Sequence, residues 1–303
     1  MSWRIRKNGE FGMKIVVASG KGGVGKSMLA SCLALLFSKK TKIVACDCDV
    51  DNPTLNLWLG ITEYDKIEKI STSEKAFIDQ RKCIKCGKCY EVCPSGAIAK
   101  KNGKYEVIPF LCEGCGVCKI VCPVNAVELS PVKNGEIRIN TSKYNFPLIS
   151  GKLYVGEMNS GKIVEELKRR AEQFEYEIAI FDAAAGIGCP VIASIRGSDF
   201  AVLVTEPTQT GFSDLQRIFK LINHFGIPYV VVINKWDLNP EISKKIEEWA
   251  GELLLGKISY DRKVIESLVN LRPVLYSDSK VVEEIEKIFE NLLDRLKEIH
   301  SQI

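Results

Sequence analysis

The sequence has 303 residues, of which 46% are apolar, and its 42 basic and 38 acidic side chains leave a net charge of +4. This composition excludes a disordered chain and is typical of one large folded domain or two ordinary ones. The charges are spread along the chain, so we expect no nucleic-acid partner, and no apolar run approaches the roughly 20 residues that span a bilayer. We therefore expect a cytoplasmic protein with no stable membrane anchor.

The predicted elements alternate along the chain. Residues 1–12 are polar and patternless, and we expect a tag or a non-core extension there. Apolar runs of strand length follow at 13–19, 42–46, 177–182, 199–206, 229–234 and 253–259. Helical periodicity occurs between and after them, at 27–39, 160–174, 212–225, 241–251 and 280–299. Strands that are apolar on both faces and alternate with helices predict an α/β fold with a doubly wound, mostly parallel sheet.

A glycine-rich loop, "GKGGVGKS", follows the first predicted strand and precedes the first helix. It satisfies G-x-x-x-x-G-K-S in the strand–loop–helix context that this motif requires. In such loops backbone N–H groups hold the phosphates, the lysine neutralises the β and γ oxygens, and the serine hydroxyl coordinates Mg²⁺. We therefore expect a nucleotide and Mg²⁺ on Gly20, Lys21, Gly22, Gly23, Val24, Gly25, Lys26 and Ser27.

The loop also contains a second lysine, Lys21. With "KGGVGK" the sequence resembles the deviant Walker A, or MinD and ParA, family of P-loop ATPases, which includes the nitrogenase iron protein and the Mrp-type cluster carriers. The resemblance covers 13–60 and 151–303, leaving 61–150 as an inserted domain. It implies an ATP-dependent homodimer, or a dimer with a paralogue, in which Lys21 reaches the phosphates of the opposite subunit.

The resemblance also assigns roles to acidic residues. In "DCDVDNPTL", Asp47 matches a position associated with Mg²⁺ and its waters, and Asp49 matches the switch I aspartate that positions the attacking water. Helix capping or solvation of the loop is the alternative for both, and Asp51 is a weaker candidate. Asp182, at the end of the apolar run "IAIFD", matches the Walker B residue. Hydrolysis is thus assigned to Lys21, Lys26, Asp49 and Asp182.

The run "INKWD" at 233–237 leaves two nucleotides open. N-K-x-D reads guanine in GTPases, whereas in deviant Walker A proteins the same strand ends in an asparagine and a basic residue that contact adenine. Lys21 favours the second alternative, and therefore ATP, with Asn234 and Lys235 at the base.

The insert contains an internal repeat. The run C-x-x-C-x-x-C-x-x-x-C-P at Cys83 recurs 29 positions later at Cys112. Tandem runs of this kind resemble a two-cluster bacterial ferredoxin, in which the fourth cysteine of each run ligates the other cluster. The alternative, a zinc site, usually offers one set of four ligands. We expect two 4Fe-4S clusters, one on Cys83, Cys86, Cys89 and Cys122 and the other on Cys112, Cys115, Cys118 and Cys93.

The four remaining cysteines need separate interpretations. Cys32, Cys46 and Cys48 lie in core-like positions and are predicted to be small buried thiols. Cys189 has an offset from Asp182 that resembles the switch II cysteine of the nitrogenase iron protein, but no second cysteine is available to share a bridging cluster, which favours a loop thiol without ligand role. The C-terminal helix has an acidic polar face, which predicts packing on the core and argues against binding to anionic lipid.

Three functions follow from these motifs. The first is a redox ATPase, in which nucleotide-dependent dimer closure is coupled to electron transfer through the two clusters to a redox partner. The alternative is an ATP-dependent carrier that delivers an iron-sulfur or other metallocofactor to a client protein. A positioning ATPase with structural clusters is a third possibility. Two complete ligand sets in one chain favour electron transfer, because carriers usually share a labile cluster between subunits.

Overall fold

The structure is a computed structural model that describes the backbone of residues 12–302 and the side chains of residues 12–299. The expected N-terminal extension, apart from Gly12, lies outside the described residues. The strands are β1 (Met13–Ser19), β2 (Ile43–Cys48), β3 (Lys66–Ile70), β4 (Ser73–Ile78), β5 (Ile98–Lys101), β6 (Lys104–Val107), β7 (Val127–Val132), β8 (Gly135–Asn140), β9 (Leu148–Leu153), β10 (Ile178–Ala185), β11 (Phe200–Thr205), β12 (Tyr229–Asn234) and β13 (Leu254–Ile258). The helices are α1 (Lys26–Ser38), α2 (Leu55–Trp58), α3 (Lys88–Glu91), α4 (Val117–Ile120), α5 (Ser160–Ala171), α6 (Cys189–Ile195), α7 (Gln209–His224), α8 (Pro240–Ala250), α9 (Arg262–Val269) and α10 (Val281–Gln302).

The main sheet has nine strands in the order β13-β12-β11-β1-β10-β2-β9-β8-β3. The seven strands from β13 to β9 pair in parallel with their neighbours. Strands β1, β2 and β11 are buried along nearly their whole length, as strands covered on both faces must be. The predicted doubly wound, mostly parallel α/β sheet is therefore confirmed.

Helices cover this sheet in ways that their sequences explain. Helix α1 is apolar on all sides, and all but two of its thirteen residues are buried. Helix α10 is amphipathic, and its apolar positions Val281, Ile285, Leu292 and Leu296 are fully buried in the same core. This confirms the prediction of a core-packing C-terminal helix. Among the described residues, no helix combines the length and apolarity that a membrane span requires.

The chain divides into two compact units. Within the described residues, the first comprises 12–67, 137–152 and 160–302, and the second comprises Glu68–Glu136 and Leu153–Asn159. The second unit contains two antiparallel pairs, β4 with β7 and β5 with β6. Its buried core is small, and two of its six members are cysteines: Ile78, Cys89, Ile98, Tyr105, Cys118 and Val127.

The unit boundaries differ from the predicted insert, 61–150. Residues 61–67 and 137–150, which the prediction placed in the insert, lie in the first unit with most of β8 and β9, and residues 153–159, which it placed in the ATPase domain, lie in the second unit. Strand β8 alternates largely between buried and half-buried residues, and the first four residues of β9 are buried. Both burial patterns are typical of strands in a covered sheet. The sequence analysis did not predict helices α6 and α9, because a helix of eight residues or fewer is too short to show a clear helical periodicity.

Candidate functional site

The glycine-rich loop lies where β1 ends, at the carboxyl edge of the parallel sheet, and it leads directly into α1. Gly25 has a left-handed backbone, φ 93°, and any side chain there would overlap the Asn234 amide. The N-terminus of α1 has no side-chain cap. Its free N–H groups and the positive end of the helix dipole are therefore available to phosphate oxygens.

A buried ion pair lies beneath this loop. Lys26 Nζ is 2.5 Å from Asp182 Oδ1 and donates to Ser27 Oγ at 3.2 Å. Burial alone would lower the pKa of Lys26, but the Asp182 carboxylate, helped by Asp47 and Asp49, outweighs it and raises that pKa. The other carboxylate oxygen of Asp182, Oδ2, is buried and has no hydrogen-bond partner among the described residues. An orphaned anionic oxygen beside a serine hydroxyl fits a bound Mg²⁺ and its waters.

Asp47 and Asp49 lie next to this pair. Asp47 is opposite Asp182 in the register of β2 and β10, and its two oxygens accept from the backbone N–H groups of Asp49 and Leu55. Burial, followed by the negative charge of Asp182, raises the pKa of Asp47 well above its ordinary value. Burial likewise raises the pKa of Asp49, which lines the cleft. Asp47 therefore anchors the loop that presents Asp49.

Lys21, the second lysine of the glycine-rich loop, forms an ion pair within its own chain. Lys21 Nζ lies 2.8 Å from Glu206 Oε1 and 3.4 Å from Thr210 Oγ1. The second oxygen of Glu206, Oε2, accepts from Lys235 Nζ at 3.1 Å, and Lys235 Nζ also donates to the Gly23 carbonyl. Burial opposes ionisation of Glu206, but the two lysines outweigh it and lower its pKa. Sequence analysis missed Glu206, although it stands in "TEPTQTG" directly after β11.

The N-K-x-D run does not form a guanine site. The Asn234 amide Nδ2 donates to the Val24 carbonyl at 2.8 Å, so Asn234 fastens the phosphate loop to β12. Asp237, which would have to accept from guanine, instead accepts from the Tyr260 backbone N–H at 2.6 Å and does not line the cleft. This arrangement disfavours a guanine nucleotide.

These residues surround one cleft of about 490 Å³ in the first unit. It brings together most of the predicted nucleotide-binding residues, among them Lys21, Ser27, Asp49 and Lys235, whereas Asp47 and Asp182 lie beneath it. A largely apolar part of the lining was not predicted; it is formed by Trp58, Tyr260, Val264, Ile265 and Leu268. Such a wall suits the flat face of a nucleobase.

The second unit contains two small cavities of almost equal size. One is lined by Cys83, Cys86, Cys89 and Cys122, and the other by Cys93, Cys112, Cys115 and Cys118. These are the two sets that the resemblance to a two-cluster ferredoxin implies. In each set the fourth cysteine comes from the other half of the repeat.

The two halves also have matching backbones. Helices α3 and α4 start 29 positions apart, and each half has three left-handed residues at matching positions: Lys85 and Gly114, Gly87 and Gly116, Gly96 and Asn125. The Ala97 and Ala126 N–H groups donate to the sulfurs of Cys93 and Cys122, both at 3.2 Å. Backbone donors to sulfur stabilise a thiolate, which is the form that ligates iron.

Among the described residues, no three His, Cys, Asp or Glu side chains converge closely enough to hold a single metal ion. A cubane cluster asks for a different arrangement, in which each thiolate binds its own iron at a separate corner. Four cysteines around a cavity, with N–H donors to sulfur, fit such a group. They do not fit a tetrahedral zinc ion, whose four ligands all lie about 2.3 Å from one atom.

The remaining cysteines have separate positions. Cys32, Cys46 and Cys48 are fully buried, as predicted, and burial raises the pKa of both Cys32 and Cys48 to about 12, which makes them inert thiols. Cys189 is exposed at the start of α6.

Comparison with known proteins gives a family, relatives and a shared fold. The family model described as CobQ/CobB/MinD/ParA nucleotide binding domain matches residues 15–274. An uncharacterized protein of Methanocaldococcus jannaschii is 40% identical over 280 residues, covering 92% of this chain and 96% of the relative. The iron-sulfur cluster carrier protein of Pyrococcus abyssi is 24% identical over 317 aligned positions, covering 99% and 92%. The structure of the cell division ATPase MinD of Pyrococcus furiosus matches with a TM-score of 0.59 at 16% identity, covering 94% and 99%, and this likeness shows the fold.

Proposed function

Because the chain belongs to the CobQ/CobB/MinD/ParA nucleotide-binding family, we propose that it binds and hydrolyses ATP with Mg²⁺ and couples this cycle to two resident iron-sulfur clusters. Support for ATP comes from the apolar wall of the cleft, from Asp237 being engaged elsewhere, and from the name of the structurally similar cell division ATPase. The clusters, when bound, accept and release single electrons.

The residues of the cleft have different roles in the proposed hydrolysis of ATP. The glycine loop and the N-terminus of α1 bind the phosphates, and Lys26 turns from Asp182 toward the β and γ oxygens as they arrive. Ser27 and Asp182 would hold Mg²⁺ and its waters, and Asp49, at the cleft surface, would orient the attacking water. The raised pKa of Asp49 makes it a better proton acceptor than an ordinary aspartate.

Dimer closure depends on Lys21. The side chain is about one-third exposed, and its ion pair with Glu206 contributes about 1 kcal/mol or less, so it is easily exchanged for a phosphate. In the proposed dimer, Lys21 leaves Glu206 and reaches the nucleotide of the second subunit. Glu206 then retains Lys235, which keeps the phosphate loop fastened through Gly23.

One observation carries the electron-transfer role: each of two cavities is lined by four cysteines of a single chain. A cluster with all four ligands from one subunit is retained through a catalytic cycle, as an electron-transfer centre must be. A second candidate function, delivery of a cluster to a client protein, is supported by the carriers of Pyrococcus. The names of these relatives favour the carrier role, and the closed ligand sets favour electron transfer.

A paired experiment decides between them. Anaerobic EPR-monitored titrations give the midpoint potentials without nucleotide, with MgADP and with a non-hydrolysable MgATP analogue. For electron transfer we expect a shift of about 60 mV, equal to about 1.4 kcal/mol for one electron, which is absent in a Lys26→Ala control. Transfer of iron and sulfide to an apo-ferredoxin, faster with MgATP and with unchanged potentials, would instead support the carrier.

A further inference from the structure

The two halves of the cysteine repeat carry different charges. Between positions 81 and 104, seven of the eight charged side chains are basic: Arg81, Lys82, Lys85, Lys88, Lys100, Lys101 and Lys104, with Glu91 as the exception. The matching stretch, 110–133, has two basic and two acidic residues. The backbone of the repeat is symmetric, and its electrostatic surface is not.

Five of these lysines are exposed in the half of the repeat that supplies Cys83, Cys86 and Cys89 to their cavity, and together they form a basic surface around the β5–β6 pair and α3. Lys88 lines that cavity, and Lys100 lies 5.9 Å from the ring centroid of Tyr105, which lines it too. This surface, the basic face, consists of Lys85, Lys88, Lys100, Lys101 and Lys104. Within the described part of the chain none of the five makes an ion pair, whereas Arg81 and Lys82 are paired with Asp79 and Glu128.

Exposed apolar side chains lie among these lysines. Ile84 is 61% exposed and Tyr90 is 51% exposed, and Tyr90 packs on Tyr105 with ring centroids 5.9 Å apart. An apolar centre with a charged rim is the usual composition of a protein-docking site. Ile84 also lines the cavity, so a partner seated on this centre lies directly over the predicted cluster.

The conformation of Lys85 adds a second argument. Its φ is 60°, a left-handed backbone that costs a non-glycine residue about 1 kcal/mol, and the matching residue of the other half is glycine, Gly114. Gly114 also packs so closely on the Glu74 carbonyl that no side chain fits there. Lys85 therefore keeps a charged side chain at a backbone position where glycine is the more stable choice.

From this geometry we propose that the basic face docks a small acidic electron-carrier protein, which delivers electrons to the cluster held by Cys83, Cys86, Cys89 and Cys122. The inference rests on the proposed electron-transfer function. In each encounter one electron leaves the reduced carrier and enters that cluster, with no bond made or broken. Charge complementarity raises the association rate and orients the carrier over Ile84 and Tyr90.

Stopped-flow reduction by dithionite-reduced plant-type ferredoxin, an acidic carrier, tests this under anaerobic conditions. We expect the second-order rate constant to fall with ionic strength and to fall about tenfold or more in a Lys100→Glu, Lys101→Glu, Lys104→Glu variant. The matched control reverses three other exposed lysines of the same unit, Lys69, Lys119 and Lys133, and should retain nearly the wild-type rate. Carbodiimide cross-linking, which joins lysine to carboxylate, should map to the basic face.

The variant Lys85→Gly distinguishes an effect on docking from an effect on folding. Glycine relieves the left-handed strain, so thermal stability should be unchanged or higher while the rate constant falls. Equal rates in the two triple variants, a rate that rises with salt, or cross-links confined to other lysines would overturn the proposal. The proposal would also be overturned if the basic face bound single-stranded RNA while the rate constant for reduction by the carrier was the same in the wild type and the charge-reversed variant. Protein that lacks iron, or whose clusters dithionite itself cannot reduce, contradicts the proposed function. Iron analysis detects the first case and a dithionite titration detects the second, and both are done before the kinetics begin.

Discussion

The nucleotide cleft and the cysteine cavities are prepared for their ligands in opposite ways. In the cleft, the lysines are already neutralised by the chain: Lys26 by Asp182, and Lys21 and Lys235 by Glu206. In the second unit, the cysteines make up much of the small core, and their main partners are a few backbone N–H groups. The first site can fold without its ligand, whereas in the second unit two of the six buried core residues are cysteines that we propose as cluster ligands.

This difference has a thermodynamic reason. The first unit buries a large apolar core around a nine-stranded sheet, and a nucleotide only exchanges one set of ion pairs for another. The second unit comprises about 76 residues with six buried core positions, a size at which metal binding commonly supplies part of the folding free energy.

The largest expected effect is therefore that of iron removal. Stripping the clusters should increase amide hydrogen exchange throughout 68–136 and leave β1, β10 and β11 protected, as mass spectrometry can measure. Cys112→Ser should lower the iron content by at least half. The matched change Cys48→Ala, at a thiol outside the cavities, should leave it unchanged, and equal iron in both variants would contradict the assignment.

The next effect concerns Lys21. Lys21→Ala should lower the ATP hydrolysis rate about 10²- to 10³-fold, because it removes a donor that stabilises transition-state charge from the second subunit. Nucleotide affinity of the monomer should change little, since Lys26 and the loop remain. The neighbouring Lys235→Ala serves as control and should weaken nucleotide binding instead. Measured rates and affinities that fall together for Lys21→Ala would place this lysine in its own subunit's site.

The smallest effect is a pH dependence of stability that arises from Asp47. Its folded pKa is raised, so the folded protein binds more protons than the unfolded chain, and the free energy of unfolding falls as pH rises from the ordinary value of 3.8 through the folded pKa. Asp47→Asn should flatten this slope at pH values above 3.8, and it should also reduce the stabilisation by MgATP. Thermal unfolding with and without nucleotide measures both, and an unchanged slope would exclude Asp47 as its source.

Sequence patterns predicted the parts of the molecule where one physical rule dominates. The G-x-x-x-x-G-K-S loop follows from local spacing, and the two cysteine sets follow from the resemblance to a two-cluster ferredoxin. The strands β1 and β12 have the predicted bounds because continuous apolar runs leave little choice. The pairing of Lys21 with Glu206 was not predictable, because it joins residues 185 positions apart. The same applies to Asp237, whose orientation depends on the Tyr260 backbone.

The crossed arrangement of the cysteines restricts how the second unit can be divided. Each half provides three thiols for its own cavity and one for the other, so a truncation that separates 83–94 from 112–123 removes a ligand from both cavities at once. The two halves therefore depend on each other, although they have the same backbone. Two chains that exchanged halves would keep all eight thiols, so three-dimensional domain swapping is a rearrangement that this geometry tolerates.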